Sequence, residues 1–155
     1  MNTKQGPDFM TSKEVKRFLQ MIEKQYGKVP KLFEESAFVR RNERIAIVTR
    51  AIEQVIDKKI RINSAGLYIA EVRDDQLRLS IEGSQLIGPH ATKNVCEFSR
   101  EQVKEWLQGK DVPVDDVFSE FVIVKYGSDY LGSGKFKEGL ILNFVPKTRR
   151  LNDMH

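Results

Sequence analysis

The side chains best suited to chemistry crowd the last part of the chain. From Lys135 to Arg150 stand five bases, Lys135, Lys137, Lys147, Arg149 and Arg150, against one acid, Glu138. Their net +4 equals the formal charge of all 155 residues, so the remainder is balanced. A local basic stripe on a neutral protein is the footprint expected for a polyanion. Gly132, Gly134 and Gly139 are interleaved with these bases, where glycine allows tight turns and close approach of backbone or ligand. Tyr130 and Phe136 are ring types that stack on unpaired bases. A plain β-hairpin with a core-facing ring is the simpler reading for Phe136 and for Phe144. For Lys135, Lys147, Arg149 and Arg150, contact with phosphate is expected.

Other chemistries are poorly served. Gly132-Ser133-Gly134-Lys135 looks superficially like a phosphate loop. However, Gly127 lies seven positions before Gly134, not five, and Phe136 stands where a Mg²⁺-binding hydroxyl belongs. A single cysteine, Cys96, next to Val95 and near Phe98, reads as a small buried hydrophobe. One cysteine with His90 and His155 does not make a tetrahedral zinc site, and no cofactor motif is present. His90, in the Gly88–Lys93 loop with Lys93, is a secondary candidate for RNA contact. Asp74-Asp75 and Asp115-Asp116 read as turn acids. No apolar run reaches membrane-spanning length. The polar start lacks a signal-peptide core. Together with the lone cysteine, this points to the cytoplasm.

The elements that must position these residues follow from periodicity and caps. Residues 1–10 are expected to be flexible. Thr11 and Glu14 have capping-box spacing, and Val15, Phe18, Leu19, Ile22 and Tyr26 recur at helical spacing up to Gly27, predicting a helix over 12–26. Ala37–Arg40 and Arg44–Val48 read as strands around a polar turn, and 51–56 as a helix capped by Thr49. Residues 60–72 read as strand with an interruption at 64–66. Leu77–Ile81 alternates as a half-buried strand, and the stretch through Gly83, Gly88 and Pro89 reads as loop. Ser99 and Gln102 predict a second capped helix, with strands at Phe121–Tyr126 and Leu140–Val145. The fold class is therefore α+β: a small α/β unit over 11–57, then a mixed β-barrel over 60–151.

The segment from Gly132 to Arg150 resembles the last hairpin of PUA domains. More specifically, it is similar to the C-terminal RNA-binding region of Sun/Nop-family RNA cytosine-5 methyltransferases of the RsmF type. Gly132, Gly134 and Lys135 match that family's Gly-x-Gly-Lys stretch and Gly139 its turn. Asn143, Pro146, Lys147 and Arg150 match its Asn-x-x-Pro-Lys and following arginine. Gly66-Leu67-Tyr68 and the stretch from Arg78 to Gly83 are similar to short archaeal proteins that stand alone as a small N-terminal unit followed by a PUA-like domain. The resemblance implies RNA binding, and with the basic stripe and the loop candidates the expected contact residues are Arg78, His90, Lys93, Tyr130, Lys135, Lys137, Asn143, Lys147, Arg149 and Arg150. It implies no methyl transfer, because the family's catalytic domain has no counterpart in the remaining length.

The function expected is non-catalytic binding of structured RNA, rRNA or tRNA, in ribosome biogenesis or RNA modification. The alternative is an adaptor that recruits an RNA-modifying enzyme such as a methyltransferase, or docks on a pre-ribosomal particle. An enzyme of another type is the third reading.

Overall fold

A computed structural model describes residues 8–48 and 66–145. The helix expected at 51–56 with its Thr49 cap, the start of the strand at 60–65, and Pro146, Lys147, Arg149 and Arg150 lie outside these residues. Among the described residues the order is β1 (Asp8–Phe9), α1 (Ser12–Tyr26), α2 (Lys31–Glu34), β2 (Ala37–Arg41), β3 (Arg44–Val48), β4 (Leu67–Arg73) and β5 (Gln76–Leu79). Then follow α3 (Ile81–Ile87), β6 (Val95–Glu97), α4 (Arg100–Leu107), β7 (Val112–Pro113), β8 (Phe121–Tyr126), β9 (Asp129–Lys137) and β10 (Leu140–Asn143).

The strands form two five-stranded sheets. One is an antiparallel meander in the order β1-β2-β3-β4-β5, and the other runs β6-β8-β9-β10-β7 and curls into a half-barrel. In the second sheet β6 pairs parallel with β8, and the other neighbours are antiparallel. The protein is thus α+β, with the curled second sheet in the part of the chain expected to form a barrel. The first sheet continues through β4 and β5, where Ile45 pairs with Ala70, across the boundary expected near 57–61. The second sheet starts only at β6.

Caps account for the helices. Thr11 accepts from the Glu14 amide at 3.2 Å while Glu14 accepts from the Thr11 amide at 2.8 Å, so orphan donors at the start of α1 are satisfied reciprocally. Ser99 and Gln102 do the same for α4. Phe18, Ile22 and Tyr26 bury one face of α1 against Phe33, Phe38, Ile45 and Ile47.

Residues Ile81–Ile87 depart from the expected strand end and loop: they form α3, capped by Ser80, which accepts from the Gly83 amide at 3.0 Å. Gly83 punctuates the sequence like a loop residue, yet a Cβ there would strike the Ile69 carbonyl. Its absence lets α3 lie directly on β4. The Leu77–Ile81 alternation therefore ends at Leu79.

β8 explains the near-continuous apolar run at 121–124. Its Ile123 joins the cluster beneath the first sheet, while Val122 and Val124 join Cys96, Phe98 and Trp106 inside the second. Successive strand side chains point to opposite faces, so this strand is a wall shared by both cores.

Polar links join the two parts as well. Gln25 Nε2 donates to the carbonyls of Ser119 and Phe121 at 2.6 and 2.7 Å, and the Tyr26 hydroxyl donates to Phe121 O at 3.1 Å. Asn94 donates to Gln25 O at 2.8 Å and accepts from the Ser119 amide at 3.0 Å. The buried Ser133 hydroxyl donates to Leu79 O at 2.9 Å.

Candidate nucleic-acid interface

The hairpin of β9 and β10 holds the glycine-rich segment, and its glycines differ in use. Gly134 pairs with Asn143 and is buried; a Cβ there would meet Leu142 O, Ile141 and Trp106. Gly132 has φ +120 at a bulge opposite Val124, where Leu131 is the extra residue that bends the strand. Gly139 has φ +82 at the hairpin tip with open space around it. These glycines serve packing, curvature and a turn within the protein.

Lys135 leaves the open face of β9 with its Nζ 5.9 Å from the centroid of the Phe121 ring. Lys137 is exposed two positions further along the same face. Phe121 packs on Phe144 with centroids 5.7 Å apart. Arg78 reaches across from β5: its guanidinium lies 5.1 Å from the Phe144 centroid and donates to Glu71 at 2.9 Å. Beside this pair, Arg44 lies 5.0 Å over the Tyr68 ring. Arg44, Tyr68 and Arg78 from the first sheet, with Gly132 and Ser133 from the second and Phe144 just past its strand β10, line a cleft of about 170 Å³. Cation–aromatic pairs of this kind contribute roughly 0.5–1 kcal/mol each at exposed sites.

Of the residues expected to bind RNA, Arg78 and Lys135 thus meet around the Phe121–Phe144 pair, with Lys137 in line. Asn143 stands at the same end but is held by the fold. Its Nδ2 donates to the carbonyls of Trp106 and Lys110 at 2.8 and 3.0 Å, and its Oδ1 accepts from the Val145 amide at 2.7 Å. These bonds tie α4 to the hairpin and end β10 at Asn143, two residues before the expected limit at Val145. Tyr130 sits elsewhere, half-buried in the first core with its ring against Gly88 and Lys125 5.7 Å above it. His90 and Lys93 are exposed on that side. Lys147, Arg149 and Arg150 follow Val145 in the sequence, outside the described residues.

Phe144 is the clearest departure. Expected in the core, it is 39% exposed, one position past the end of β10, and the buried residue there is its neighbour Val145. Arg44, Tyr68 and Phe121 had no separate signal: each is one residue of an ordinary strand, and only pairing across the sheets brings them together. Phe136 does pack inward, against Phe118 at 5.8 Å.

Cys96 is buried, and burial first, then the charges of Asp116 and Glu97, pushes its thiol up to about 11. A thiol held protonated is a poor nucleophile. Among the described residues no group of three acids, histidines or cysteines is placed to hold a metal. No described helix is long and apolar enough to cross a membrane.

Residues 93–151 match the family model described as Methyltransferase RsmF PUA domain. The chain carries a PUA-like domain related to that of RsmF. The match takes in β6 to β10 with α4, the whole second sheet, and the Lys135–Arg150 stripe. Arg44, Tyr68 and Arg78 lie before it. Longer similarity appears in complete proteins. Ribosomal RNA small subunit methyltransferase F of Aeromonas salmonicida is 29% identical over 139 residues, covering 89% of this chain and 28% of that protein. Its namesake from Vibrio campbellii is 27% identical over 126 residues, covering 77% and 26%. The chain therefore spans about a quarter of the length of these curated relatives.

Proposed function

We propose that this protein binds structured RNA in the cytoplasm, rRNA before tRNA, through its PUA-like domain and performs no chemistry on it. The observation that carries this is the line of Lys135 and Lys137 on one open strand face, leading in sequence to Lys147, Arg149 and Arg150. Lysine and arginine on one face neutralise phosphates and release counterions. The relatives are ribosomal RNA small subunit methyltransferases, which favours rRNA. The role follows: to hold RNA during ribosome biogenesis or modification. The buried Cys96, its thiol pushed up to about 11, favours the non-catalytic reading. An adaptor that recruits a methyltransferase or docks on a pre-ribosomal particle gains less support. The exposed large apolar residues among the described ones, Phe9, Leu32, Leu67, Val117, Tyr126 and Phe144, come from six separate segments of the chain.

The test is titration of a fluorescent rRNA hairpin at several salt concentrations. Affinity should fall with a log–log slope of about −0.7 to −0.9 per neutralised phosphate, and changing Lys147, Arg149 and Arg150 together to Ala should reduce that slope. Affinity indifferent to salt overturns the reading. Saturable binding of S-adenosylmethionine in calorimetry overturns the non-catalytic part.

A further inference from the structure

We propose that the cleft bounded by Arg44, Tyr68, Arg78 and Phe144 receives a single unpaired nucleobase, so that the protein prefers RNA with an unstacked nucleotide beside a paired stem. The inference rests on the RNA reading above and assigns that site a ligand. Size comes first. At about 170 Å³ the cleft is smaller than the roughly 300–1,000 Å³ of pockets that enclose a whole cofactor-sized molecule. One planar ring system suits it better. Its walls come next. Phe144 keeps 39% of its surface exposed although it packs on Phe121. An exposed ring backed by a buried one is a ready stacking platform. Tyr68 supplies a second ring, with the Arg44 guanidinium 5.0 Å above it. Guanidinium planes and aromatic rings are the surfaces on which extruded RNA bases stack.

Charge separates a base from a phosphate as the occupant. Glu82 lines the cleft, and Glu71 accepts from Arg78 at 2.9 Å. A phosphate entering here would meet the Glu82 carboxylate, while Glu71, outside the cleft lining, already neutralises Arg78. A neutral base edge is compatible with both signs, because arginine offers only donors and a carboxylate only acceptors. Lys135 and Lys137, on the neighbouring strand face, are left to the backbone phosphates. The base and phosphate contacts are thereby divided between the first sheet with Phe144 and one face of β9, the central strand of the second sheet. Arg44, Tyr68 and Arg78 lie outside the residues 93–151 matched to the PUA domain, so the N-terminal part of the chain supplies half of the recognition.

Two RNAs of equal length test this, one a perfect duplex and one a hairpin with an unpaired loop carrying 2-aminopurine. The wild-type protein should bind the loop RNA about tenfold more tightly, the scale of one stacked base, and should quench the 2-aminopurine as it stacks. Tyr68→Ala and Phe144→Ala, checked by melting, should collapse that ratio towards one. Lys135→Ala with Lys137→Ala should lower affinity for both RNAs and preserve the ratio. Salt-dependent binding of both RNAs with equal affinity, and no quenching in the wild type, overturns the cleft assignment and leaves the RNA reading standing. No binding of either RNA at low salt overturns both. The quenching measurement needs no variant, so a Tyr68→Ala protein that fails to fold does not spare the proposal.

Discussion

Phe144 and Tyr130 flank one hairpin, and each has a cation near its ring, Arg78 at 5.1 Å and Lys125 at 5.7 Å. Phe144 follows the end of β10, beyond the last ladder bond, and stays open. Tyr130 is the second residue of β9 and is pinned by the backbone of Gly88, where even a Cβ would collide with its ring. A ring fixed by packing cannot turn to meet a ligand, whatever cation stands beside it. Ring identity and a neighbouring base are therefore poor guides to a binding site. What distinguishes the two is whether secondary structure still has a use for the residue.

On that view, substitutions on the packed side damage folding, and those on the open side damage only binding. The largest effect is expected for Gly134→Val. Its new side chain would be forced into Leu142 O and Trp106, and overpacking of this kind costs about 3 kcal/mol or more. Urea denaturation should show loss of the native transition, whereas Gly139→Asn at the open tip, where asparagine tolerates positive φ, should unfold near the wild-type midpoint. A Gly134→Val protein of normal stability would mean the hairpin glycines are spare. Asn143→Ala comes next, at about 2 kcal/mol, because it strips the donors from the Trp106 and Lys110 carbonyls. If it instead melts normally and loses RNA affinity, Asn143 belongs to the interface after all.

His90→Ala and Lys93→Ala are exposed changes and should stay within about 0.5 kcal/mol in stability. In RNA titration they should cost less than Phe144→Ala; the reverse ranking would move the interface to the Tyr130 side. The smallest effect is in pH. The folded Cys96 thiol titrates near 11, above its ordinary 9.0, so its contribution is complete below pH 9 and is lost as pH rises through 11. The urea midpoint of the wild type should fall relative to that of Cys96→Ala over this window. The buried Tyr26 hydroxyl, also pushed up by burial, acts in both proteins and cancels from the difference.

Much of the fold was legible because it is written locally. Thr11 with Glu14 and Ser99 with Gln102 announce two helices through caps formed within four residues. Asp74-Asp75, both at positive φ, closes the β4–β5 turn. The failures share one cause. Gly83 looks like a loop residue until Ile69 is seen against it, 14 positions earlier. Asn143 looks like a ligand-facing amide until α4 is folded beneath it. Within the candidate site, Lys135, Lys137 and Arg78 carry a charge that shows in any reading. Arg44, Tyr68 and Phe121 become partners only through strand pairing and the packing of one sheet on the other, and no local pattern encodes that.

The clasp from Gln25, Tyr26 and Asn94 has a consequence for anyone wishing to dissect the protein. The carbonyl of Phe121 receives two of its bonds from the end of α1, and the same residue carries the ring beneath Lys135 and Phe144. A fragment begun at residue 93 would keep every strand of the second sheet. It would also bare the Ile123 side of β8 to water and loosen the start of that strand. The piece that sequence comparison marks out as a portable module is, in this chain, one side of a joint wall, and its recognition surface borrows rigidity from a helix some 95 residues upstream.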